Sequence, residues 1–113
     1  MFGSQSAAIQ IELDEAKKKV KLVEALDRLE RNKDFKLLIE EEFFKQETLR
    51  QASCLSDPSF QTPHMQASLI ADMRAGATIQ AFFRLLRRNG AAAEQAIINS
   101  EEELQAIRLE GDE

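Results

Sequence analysis

The sequence predicts an all-α protein built from three helices, and three observations carry that reading. Ala, Leu, Glu, Gln, Lys and Arg dominate, while there are only four Gly and two Pro and no Trp or Tyr, a composition suited to helix interiors rather than turns. An unbroken three–four alternation runs through Thr62, Met65, Leu69, Asp72, Gly76, Ile79, Phe83, Leu86, Gly90, Ala93, Ile97, Ser100, Leu104 and Ile107, most of them apolar or small, the seam of one long helix. Two stretches interrupt helical patterning, Asn32-Lys33-Asp34 and Ser56-Asp57-Pro58-Ser59. Together these place helices over about 5–31, 34–55 and 62–109.

The first helix carries a heptad stripe at Ile9, Leu13, Ala16, Val20 and Val23, then shifts phase to Leu22, Leu26 and Leu29. Two stripes on different faces predict two packing partners, a narrow two-helix seam early and a core-facing side later. Asp34 is a suitable N-cap for the second helix. On an α-helical wheel its Phe35, Leu38, Ile39, Phe43 and Leu49, with Leu37, Phe44, Ala52 and Leu55, cover more than half the circumference. That predicts the most buried element, packed on both sides, with Phe43 and Phe44 on different sides. Glu40, Glu41 and Glu42 read as its solvated flank. Pro58 ends the helix by disfavouring helical backbone at Asp57, and Phe60 in that turn is expected to plug the core.

Thr62 then caps the third helix, with Pro63 at the first position, where no amide bond is lost. Asn89-Gly90 would ordinarily mark a helix C-terminus. A single interior Gly costs only about 1 kcal/mol, and a true break would have little reason to keep the seam in register. One long helix, bent at Gly90, is favoured over a hairpin. A second stripe at Ile70, Met73, Ala77, Ala81 and Leu85 predicts two-sided burial of its middle.

The simplest architecture is a compact three-helix body, residues 25–89, with antiparallel terminal arms of coiled-coil character at 1–24 and 90–110 in a single domain. Lys17, Lys18, Lys19 and Lys21 are expected to face Glu101, Glu102 and Glu103 across the arms. Exposed pairs of this kind contribute about 0.2–1 kcal/mol each and set register more than stability. Ala16, Ala93 and Ser100 make the arm seam shallow, which predicts further copies of the chain as partners.

With 113 residues the chain can bury about 65% of its unfolded surface without disulfides. The net charge of −5 argues against nucleic acid as the main partner, since phosphate binding needs positive charge. Cys54 is the only cysteine and suits a reducing compartment. The stretch MFGSQSAAIQ lacks the features of a secretory signal, and no apolar run is long enough to span a membrane. Candidate chemistry is sparse. His64 is the only histidine and reads as a first-turn surface residue; Cys54, with no adjacent base, reads as a packed thiol. The scattered glycines form no phosphate loop. No catalytic, metal or cofactor site is predicted, and the chain reads as a non-enzyme. One cluster stands out, Arg84, Arg87 and Arg88 following Phe82-Phe83, the composition of an interface hot spot. The bland alternative pairs those arginines with Glu40–Glu42. Phe82, Arg84, Arg87 and Arg88, with the seam residues Ile97, Leu104 and Ile107, are the candidate partner-binding residues.

The segment from Leu26 to Pro58 resembles a family of short helical proteins encoded by tailed bacteriophages. The matching pattern is the leucine pair Leu26 and Leu29, then Asn32-x-Asp34-Phe35-Lys36, Ile39, Glu41, Phe43-Phe44-Lys45, Glu47 and Arg50, ending near Asp57-Pro58. Weaker likeness continues at Gln80-x-Phe82-Phe83 and Ala93-Glu94-Gln95-Ala96-Ile97. Glu42-Phe43 departs from the Gly-Tyr pair of family members. The resemblance implies an accessory of phage particle structure or assembly with no catalytic residues to carry over; taken with the paired seams and the Arg-aromatic patch, it predicts a helical oligomerising spacer or clamp. Its partners would be itself and other phage structural proteins, in the virion or host cytoplasm. The alternative is a small helical regulator that binds a host protein.

Overall fold

The computed structural model describes residues 2–111, and among them every long element is helical. Helix α1 (Phe2–Arg31) is followed by a short α2 (Lys33–Phe35), a π-helical segment (Lys36–Glu47) and α3 (Thr48–Leu55), which run end to end as a single second helix. A 3₁₀ turn (Pro58–Phe60) leads into α4 (Pro63–Gly111). The all-α class with three long helical stretches is thus what the chain adopts. By contact it divides into two units, Met1–Leu26 with Leu85–Glu113, and Asp27–Arg84.

The first unit is a pairing of α1 with the later part of α4. Ile9, Leu13, Ala16, Val20 and Val23 are buried or half-buried, as are Leu86, Gly90, Ala93, Ile97, Ser100, Leu104 and Ile107. Leu13, Ala16 and Ala93 are nearly inaccessible. Glu12 to Lys19 meet Asn89 to Ala96, and Gln10 to Lys17 meet Glu101 to Arg108, so the two helices run antiparallel. The helix does not break at Gly90. A Cβ there would overlap Cγ2 of Val23 and stand 3.2 Å from its Cβ, so glycine serves close approach rather than a cap. The predicted phase shift in α1 is only partly found: Leu26 is buried, but Leu22 and Leu29 stay exposed.

The second unit joins the second helix to the start of α4. Its interior is an aromatic cluster centred on Phe83, whose ring lies 6.2 Å from Phe35 and 6.1 Å from Phe44, edge-on to the latter. Phe43 stacks obliquely on Phe44 at 5.6 Å and reaches over Gly76. The expectation that this helix is the most buried element is wrong. No residue of the π-helical segment is buried, and Leu37, Leu38 and Leu49 are 57%, 61% and 59% exposed. The cause is the turn itself. An α-helix turns every 3.6 residues or so, whereas i→i+5 bonding widens the turn. Phe35, Ile39, Phe43, Glu47, Gln51 and Leu55 therefore return to one face every fourth residue, all buried or half-buried. Phe43 and Phe44 share that side instead of dividing.

Caps define the ends. Asn32, not Asp34, caps α2: its side chain accepts 3.0 Å bonds from the amides of Asp34 and Phe35. Asp34 sits two residues too late, already within the first turn. Thr62 caps α4 as expected, its hydroxyl accepting from the Met65 amide at 3.2 Å. Asp57 accepts from the Ser59 amide at 2.8 Å, opening the 3₁₀ turn. The side-chain Nε2 of Gln66 donates to the carbonyls of Leu55 (3.1 Å) and Phe60 (2.7 Å), and Nε2 of Gln61 donates to those of Leu55 and Asp57. Phe60 itself is half-buried. Along this part of α4 the inward positions are Gln66, Leu69, Met73, Gly76, Gln80 and Phe83, while Met65, Asp72 and Ile79 face out. Leu69, Gly76 and Phe83 thus keep their predicted places, while the alternate positions move on by one residue, from Met65 to Gln66, Asp72 to Met73 and Ile79 to Gln80; beyond Phe83 the seam follows its predicted phase. Of the predicted second stripe only Met73 is withdrawn from solvent; Ile70 and Leu85 are exposed.

Candidate functional site

The sequence-predicted interaction residues fall into two groups, one in each unit. In the Asp27–Arg84 unit, Phe82 is 52% exposed and touches only the edge of the aromatic cluster, 6.2 Å from Phe83. It occupies the turn of α4 directed away from Phe35 and Phe44, because its neighbour Phe83 takes the inward position. Arg84 is exposed beside it. Pairing of Arg84 with the Glu40–Glu42 run does not occur among the described residues. Glu41 instead binds Lys45 at 3.8 Å and accepts from Gln46 at 3.2 Å, the latter five residues on, as the wide turn brings that spacing together.

In the other unit, Arg87 and Arg88 lie on the exposed side of α4. Ile97, Leu104 and Ile107 are half-buried on the seam shared with Gly90 and Ala93. Leu104 lines a groove with Gln10, Leu13 and Lys17, so its partner within the chain is α1. The lysine run and the glutamate run do not close into ion pairs as expected. Lys17 and Glu101 border the same open groove, yet no ion pair joins Lys17, Lys18, Lys19 or Lys21 to Glu101, Glu102 or Glu103 among the described residues. Packing of Val23 over Gly90 sets the register, and exposed charges have too little energy to override it.

His64 is exposed, lining a shallow groove with Arg50, Phe60, Leu69 and Asp72. Cys54 is half-buried, with Nη1 of Arg50 3.8 Å from its Sγ. Arg50 also forks onto Glu47, Nε donating to Oε2 at 2.8 Å and Nη2 to Oε1. That fork holds the Glu47 carboxyl below its ordinary range and raises the Arg50 guanidinium. Among the described residues no three His, Cys, Asp or Glu side chains gather as metal ligands. No described helix is long and apolar enough to cross a membrane.

What the sequence reading missed are Leu37, Leu38 and Leu49, which it assigned to the interior and which form exposed apolar surface of the second helix. Only the widened turn reveals them. No family model, curated protein or solved structure matches the chain.

Proposed function

We propose that this chain is a non-enzymatic structural or assembly component of a tailed-bacteriophage particle, acting as a helical oligomerising spacer or clamp. The observation that carries the oligomeric part is surface left uncovered. Leu37, Leu38 and Leu49 are 57%, 61% and 59% exposed on the second helix, and solvent-facing leucines grouped on one helix are the usual mark of a protein interface. The phage assignment is supported by the motif resemblance running from Asn32-x-Asp34-Phe35 to Asp57-Pro58. Phe82 with Arg84 supplies an aromatic and a guanidinium suited to a heterologous contact.

Mass spectrometry of purified proheads and mature virions tests the assignment: the protein is expected in at least one of them at fixed copy number. Its absence from both, with recovery of one host protein from lysate, would favour the regulatory alternative instead.

A further inference from the structure

The outward face of α1 carries a pattern independent of its seam. About the point between Ala16 and Lys17, six charges of this helix are mirror images of opposite sign, Glu15 answering Lys18, Asp14 answering Lys19 and Glu12 answering Lys21, while Lys17 falls opposite Ala16. Two exposed apolar residues bracket them, Ile11 (61%) and Leu22 (44%). Ile11, Glu15, Lys18 and Leu22 follow one another at intervals of four, three and four, which places them on a single helix face. Leu13, Ala16 and Val20 occupy the opposite face and are withdrawn from solvent against α4. The six charged side chains are all exposed, Glu12, Glu15 and Lys19 along the edge of the groove shared with α4, and none is in an ion pair among the described residues; Asp14 accepts a 2.9 Å bond from Gln10.

We propose that a second copy of this chain docks on that face, the two α1 helices antiparallel about a two-fold axis passing between Ala16 and Lys17. The inference rests on the oligomeric reading above and specifies one surface for it. Under the two-fold, Ile11 of each copy meets Leu22 of the other, and each acidic half lies along a basic half. The patch is its own complement, as an isologous interface requires. A parallel pairing in register would set lysine against lysine over the whole run from Lys17 to Lys21, and like charges at that distance repel. The contact is narrow and rich in exposed charge, so it is reversible and weakens as salt screens it.

Charge reversal with complementation tests the proposal by sedimentation equilibrium on the full chain. One variant carries Glu12→Lys, Asp14→Lys and Glu15→Lys; the other carries Lys18→Glu, Lys19→Glu and Lys21→Glu. Each alone should self-associate at least roughly tenfold more weakly than wild type, and an equimolar mixture of the two should associate again. Far-UV circular dichroism checks that both remain helical. Should either unfold, the single reversals Glu15→Lys and Lys18→Glu serve in the same mixing design. Wild-type association with variants unaffected, or a mixture that stays monomeric, overturns this interface while leaving oligomerisation intact. A wild type that is monomeric at every concentration overturns both.

Discussion

Val23 lies directly on the backbone of Gly90, in space that any side chain at residue 90 would occupy. Gly90→Ala therefore opposes two effects. Alanine favours helix over glycine by about 1 kcal/mol, but overpacking against a β-branched neighbour costs about 1–3 kcal/mol. The net expectation is a lower urea midpoint, relieved by Val23→Ala in the double variant. A single variant more stable than wild type would show that the two helices do not approach so closely.

Gly76 makes the opposite case with the same substitution. A Cβ there would stand 3.8 Å from Cζ of Phe43, an ordinary contact. Gly76→Ala should stabilise by up to about 1 kcal/mol, through helix propensity and a less flexible unfolded chain. Thermal melts of the two alanine variants are expected to shift in opposite directions.

Phe83 is the ring that three others touch. It is half-buried rather than enclosed, so Phe83→Ala should cost about 2–3 kcal/mol, toward the low end for aromatic truncation. Leu38→Ala, at an exposed site, should change the midpoint by no more than about 0.5 kcal/mol in the monomer. Equal losses in chemical denaturation would mean that the second helix presents its other face inward.

Asn32 satisfies two amides at the start of the second helix. Asn32→Ala should lower stability by about 1 kcal/mol, while Asp34→Ala, whose carboxylate lies in the first turn, should lose only the smaller helix-dipole contribution. The order of the two losses in calorimetry distinguishes cap from first-turn residue.

Glu47 titrates below its ordinary value because Arg50 binds the ionised carboxylate. A depressed folded value means that this stabilisation is complete at neutral pH and is lost only as pH falls through it, below the ordinary carboxylate range. Arg50→Gln should return the Glu47 midpoint upward in an NMR-monitored titration. An unmoved midpoint would show the pair to be absent in solution.

Where the backbone keeps α-helical periodicity, the sequence was a reliable guide. Thr62 and Pro63 announced the start of α4, and the seam from Phe83 to Ile107 and the stripe from Ile9 to Val23 could be read position by position, because apolar residues there recur at the helical period. The second helix was misread for one physical reason: a wheel drawn at the α period scatters Phe35, Ile39, Phe43, Gln51 and Leu55, whereas the π-helical turn gathers them. Leu37, Leu38 and Leu49 were consequently placed inside. Asn32 and Asp34 are equally good caps on paper, and only backbone geometry separates them. Of the candidate interaction residues, Ile97, Leu104 and Ile107 were legible as seam, but that they meet α1 of the same chain depends on contacts remote in sequence. The lysine run was read for its charge and not for its mirror symmetry with the acids before it.

The antiparallel seam of α1 with α4 has a consequence for how the chain is made. Val23 and Gly90 are some seventy positions apart, and seam residues beyond them, such as Leu13 and Leu104, are farther apart still, so the seam is strongly non-local and closes late. The Phe35–Phe44–Phe83 cluster and the turn held by Gln61 and Gln66 join nearer segments and can assemble first. On the ribosome, α1 leaves the exit tunnel long before the residues that cover Leu13 and Ala16 have been translated. Helix α1 is thus made well before α4 can enclose it, and until then its apolar stripe is available to any other helix that reaches it.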